Sequence, residues 1–122
     1  MTQEFVSYEQ ALALKELGFD EPCFGGYDME TLKLWIGYLN DGEQFNREYY
    51  YPAPTFSQTF RFFRERHGLY SHIFSQPNGT FVWCIRWYDD GIQKDIPYQD
   101  ATTWEEAEFA CLIKLIEIVK DE

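Results

Sequence analysis

Basic residues, histidine and cysteine are all scarce in this chain of 122 residues. Ten Lys and Arg face 21 Asp and Glu, leaving a net charge of −11. Such a balance argues against general binding to the nucleic-acid backbone or to an anionic membrane surface. Cys23, Cys84 and Cys111 are odd in number and widely spaced, with no C-x-x-C pair. They suit buried thiols in a reducing cytosol, and neither a disulfide frame nor a zinc site. His67 and His72 are the only histidines and form no H-E-x-x-H, so no metal is expected. No apolar run approaches the roughly 18 residues of a membrane span. Met1 to Val6 lack the basic and apolar regions of a secretory signal, so the expected setting is cytoplasmic.

Catalytic signatures are missing too. There is no G-x-S-x-G elbow, Walker loop or G-x-G-x-x-G, and Gly25-Gly26 is too short to cradle a phosphate. A cysteine nucleophile needs a lowered pKa and a base. Cys84 and Cys111 instead sit in apolar runs, and only Cys23, after Pro22, lies in a looser stretch. The acid pairs Asp89-Asp90 and Glu105-Glu106 fall at a turn and in a first helical turn, where carboxylates are ordinary. We therefore expect no enzyme, no catalytic residue and no cofactor.

Aromatics, by contrast, make up 20% of the chain, more than a single core of this size needs. Charge is also unevenly placed. Residues 1–54 carry ten acids and three bases, and residues 89–122 do the same. Between them Arg61, Arg64, Arg66 and Arg86 face Glu65 alone, a basic island between acidic flanks.

Three segments share the form of a capping box, a hydroxyl residue followed three positions later by Glu or Gln. They begin at Ser7, Thr55 and Thr103, at equal spacings of 48. The boxes predict helices from Tyr8 to about Leu17, from Phe56 to about His67 and from Trp104 to about Lys120, with Gly18 and Gly68 ending the first two. Strands are predicted between them. Pro77-Asn78-Gly79 separates Leu69–Phe74 from Thr80–Tyr88 as a hairpin. Asp89-Asp90-Gly91 turns the chain into Ile92–Ile96, with Pro97 ending that strand. Pro22–Tyr27, Leu32–Leu39 and Phe45–Tyr51 are earlier candidates, joined in part by Asn40-Asp41-Gly42, and Pro52 and Pro54 stop any strand there. The segment Ile36 to Gln44 lies over Ile85 to Gln93 at an offset of 49, so an internal duplication is suggested. The expected fold is one α+β domain over residues 1–122, three helices packed on antiparallel sheet in the order α-βββ-α-βββ-α.

The segments Ser7 to Cys23, Pro52 to Leu69 and Glu105 to Lys120 resemble a family of short uncharacterised proteins from phages, prophages and Bacteroidetes-type genomes. Together they cover under half of the chain. Within the second segment Thr59 and Phe62 depart from the Ala and Trp usual in that family. The resemblance implies a mobile-element origin and a cytoplasmic setting, and carries over no catalytic residue.

Binding signals are stronger than catalytic ones. Tyr49 and Tyr51 would point to one side of an extended chain and Tyr50 to the other. Arg61 and Arg64 share the outward side of the second helix, and Trp83 and Trp87 share one sheet face opposite Cys84 and Arg86. These features suit two function classes. One is a non-catalytic accessory protein of mobile-element origin whose acidic surface binds a host or phage protein. The other is a small-molecule binder that holds a nucleotide-like anion at Tyr50, Arg61, Arg64, Trp83 and Trp87. An exposed aromatic patch would mark a homodimer as readily as either.

Overall fold

The computed structural model describes residues 4–37 and 49–121. Elements follow the expected order: α1 (Tyr8–Glu16), β1 (Gly25–Asp28), β2 (Leu34–Ile36), β3 (Tyr50–Ala53), α2 (Phe56–His67), β4 (Tyr70–Ser75), β5 (Phe81–Asp89), β6 (Ile92–Ala101) and α3 (Trp104–Lys120). The fold is α+β, with two three-stranded antiparallel sheets ordered β2-β1-β3 and β4-β5-β6. Element order thus repeats while pairing does not, since the central strand comes first in one sheet and second in the other. Contacts divide the chain into two compact units, residues 1–59 and 60–122, with the boundary inside α2. The predicted turn Asn40-Asp41-Gly42 lies outside the described residues.

Each helix opens on its predicted hydroxyl residue, by a different arrangement. Ser7 makes the full reciprocal box: its Oγ accepts from the Gln10 N–H and its own N–H donates to Gln10 Oε1, both at 3.2 Å. Thr55 accepts from the Gln58 N–H at 3.1 Å, but the Gln58 amide donates to the Pro22 carbonyl at 2.8 Å instead of returning to the cap. Thr103 accepts from the Glu106 N–H at 3.1 Å, and the Glu106 carboxylate reaches past it to the backbone N–H and hydroxyl of Thr102. Those bonds hold the Glu106 carboxyl below its usual range. At its other end α1 closes in a Schellman motif. The Phe19 N–H bonds the Leu14 carbonyl, the Gly18 N–H bonds that of Lys15, and Gly18 takes φ +91° between them.

In the first unit α1 packs on β3. Tyr8 meets the rings of Tyr27 and Tyr51 edge-on at 5.9 and 5.7 Å, and the Tyr27 hydroxyl donates to the Val6 carbonyl at 2.6 Å. Gly25 is buried under Phe5, so close that a Cβ there would lie 2.8 Å from the ring and 2.9 Å from the Ala53 carbonyl. Here a proline expectation fails: β3 runs through Pro52, which pairs with Gly26. β3 is an edge strand among the described residues, and a proline there removes a donor that no neighbour needs.

The second unit is a meander of three strands with α3 on one face. Ser71, Ile73 and Ser75 of β4 stand opposite Ile85, Trp83 and Phe81 of β5. The Phe81 ring meets Trp104 of α3 at 5.9 Å, and Ser71 lies beside the Cys111 thiol, so this is the helix-covered face. Ile85, Cys111, Leu112 and Leu115 are fully buried in its core. Asp90 at φ +51° and Gly91 at φ +79° make the tight β5–β6 turn. Pro97 does not end the last strand: β6 continues to Ala101. Ile96 pairs with Ile85 and Gln99 with Trp83, so Pro97 and Tyr98 together stand against Cys84 in a β-bulge on a strand that is an edge among the described residues.

Candidate functional site

Alternation along the second sheet determines what its other face carries. Tyr70, His72 and Phe74 of β4 oppose Arg86, Cys84 and Val82 of β5, and these oppose Asp95 and Asp100 of β6 at Arg86 and Val82. The bulge shifts the phase of β6. Counting down from Asp100, Tyr98 joins the same face, whereas a regular strand counted up from Ile96 would have turned it toward α3.

These side chains leave an open aromatic surface. Phe74 is 47% exposed and Tyr98 62%, with Tyr70 and Tyr88 also exposed. His72 stacks on Phe74 with centroids 6.0 Å apart and planes 11° off parallel. Phe74 meets Tyr98 at 6.2 Å and 68°, so the two rings form an angled pair across the sheet. Beside this pair lies a cleft of about 430 Å³ lined by Phe74, Gln76, Val82, Tyr98 and Asp100. That is within the size range of small-ligand sites. Four residues further along β5 from Val82, Arg86 stands between Tyr70 and Asp95, its Nε buried without a hydrogen-bond partner among the described residues. Cys84 is buried beneath this row. Burial pushes its thiol up, the Arg86 charge pulls it down, and Asp95 pushes it up again.

The residues selected from the sequence fall in separate places. Tyr50 belongs to the first unit, on β3 opposite Asp28 and on the face away from Tyr51. Arg61 and Arg64 are exposed on α2, and Arg66 nearby lies over the Phe62 ring at 5.5 Å. Trp83 and Trp87 share the helix-covered face of β5, where Trp83 is only 7% exposed and part of the core. Trp83 therefore offers no open ring face. Phe74, Tyr98 and Asp100 carry the open surface and were not selected from the sequence. The signal for Phe74 is the alternation Tyr70-Ser71-His72-Ile73-Phe74, while a strand ending at Pro97 would exclude the other two.

Among the described residues, no group of three or more His, Cys, Asp or Glu is arranged to hold a metal ion. No described helix is long and apolar enough to cross a membrane. Compared with protein-family models, curated proteins and solved structures, the chain matches none.

Proposed function

We propose that this protein is a non-catalytic accessory factor that binds a basic segment of another protein on the open face of its second sheet. One observation carries the reading: an exposed aromatic face bearing Asp95 and Asp100, in a chain of net charge −11. Exposed aromatic patches of this kind mark interaction surfaces. Surplus negative charge accelerates encounter with a positive partner and disfavours acidic ones. A mobile-element origin and a cytoplasmic setting accompany this reading, on the family resemblance and the cysteine usage respectively. The competing nucleotide-like ligand finds less support, because Trp83 is buried and the open face sets two carboxylates, Asp95 and Asp100, against the single Arg86.

The test is calorimetry against matched synthetic peptides, one rich in Lys and Arg, the other with those positions changed to Glu. The basic peptide should bind and the acidic one should not, with affinity falling steadily as salt rises from about 50 to about 300 mM. Equal binding of both peptides, or an affinity indifferent to salt, removes the proposal.

A further inference from the structure

We propose, as a deepening of the docking reading and dependent on it, that the cleft lined by Phe74, Val82, Tyr98 and Asp100 seats one arginine side chain of the basic partner. Phe74, Val82 and Asp100 are directly cross-paired, so a ring, an apolar floor and a carboxylate stand in one row. The row spans two strand spacings, roughly 9–10 Å. Tyr98 closes it from the side at 68° to Phe74, and His72 backs Phe74 by stacking on it. A cation set over Val82 would lie beside the aromatic pair and the Asp100 carboxylate together. Asp100 is exposed and makes no ion pair among the described residues, so its charge is open to an incoming group. The nearest Lys or Arg on this face among the described residues, Arg86, is four residues along β5 from Val82, roughly 13 Å.

The shape selects arginine over lysine. A guanidinium is planar, stacks on aromatic faces and forks two N–H groups onto a carboxylate, while an ammonium is a compact and strongly hydrated point charge. Gln76 helps to define the rim, its Oε1 held by the Thr80 hydroxyl at 2.7 Å.

Three lysine-flanked peptides test this, with arginine, lysine or citrulline at one central position. Calorimetry should rank arginine first and cost citrulline about tenfold in Kd, the equivalent of about 1.4 kcal/mol. Tyr98→Ala and Asp100→Asn should each weaken the arginine peptide by a similar factor and flatten the ranking. Glu117→Gln, an equal loss of charge on the exposed side of α3, should leave it unchanged. Thermal melts confirm folding, and Tyr98→Leu serves if Tyr98→Ala lowers stability. Arginine and citrulline peptides of equal affinity, or wild-type affinity in both cleft variants, overturn the arginine seat and leave the docking reading standing. Failure of all three peptides to bind at millimolar concentration removes both. A dimer that Tyr98→Ala dissolves, or an oligonucleotide that Tyr98→Ala releases, would overturn the seat by assigning the face to another occupant.

Discussion

Cys111 has no exposed surface, and burial pushes its thiol up to about 12, with Cys84 and Glu108 adding to the effect. Cys84 is raised for the same first reason, and Cys23 is also buried. Thiolates are the reactive form, so all three should resist an aromatic disulfide reagent at about pH 8 in the native protein and react once guanidinium unfolds it. A thiol whose folded pKa lies above its unfolded value favours folding below about pH 9 and loses that contribution as pH rises toward 12. Stability should therefore decline above about pH 9, and Cys111→Ala should soften the decline in chemical-denaturation midpoints. Burial of these thiols was legible from the apolar runs around Cys84 and Cys111. The fate of Trp83 was not: alternation put it with Trp87, but only α3 determined which face became core.

At the level of elements, local signals did best. All three helices begin at the residue their caps indicate, and the Pro77-Asn78-Gly79 hairpin forms, with Asn78 Oδ1 accepting from the Thr80 N–H at 3.1 Å. Strand ends at Pro52 and Pro97 were misjudged for one shared reason. A proline is harmful in a strand only where a neighbour needs its N–H, and edge position depends on pairing that no short window contains. Pairing order is long-range in the same way, so β2-β1-β3 could not be read from repeats that resemble β4-β5-β6. Gly25 supplies the sharpest element-scale prediction. Gly25→Ala would press a methyl group against the Phe5 ring and the Ala53 backbone, costing about 1–3 kcal/mol by the usual penalty of overpacking. Urea denaturation should show a lower midpoint with an unchanged slope, and Gly79→Ala, where a Cβ meets open space but φ is +86°, gives a backbone-strain comparison.

For the molecule as a whole, composition excluded more than it identified. A charge of −11 and abundant aromatics were plain in the sequence, but their meeting on one sheet face depends on a single extra residue in β6. Shift that phase and Tyr98 would turn toward α3, leaving Phe74 without its partner ring. Pro97 also has a consequence beyond the molecule's own fold. An outer strand of ten residues, unpaired on one side among the described residues, presents a backbone ladder on which further chains could add, the first step of fibril growth. Pro97 breaks that ladder by withholding one N–H, and the bulge beside it bends the strand out of register with any copy. Pro97→Thr should thus shorten the lag before thioflavin fluorescence rises in concentrated, agitated solution, even where melting temperature is unchanged. The same proline that β6 accommodates within its length would then act as a guard against self-assembly.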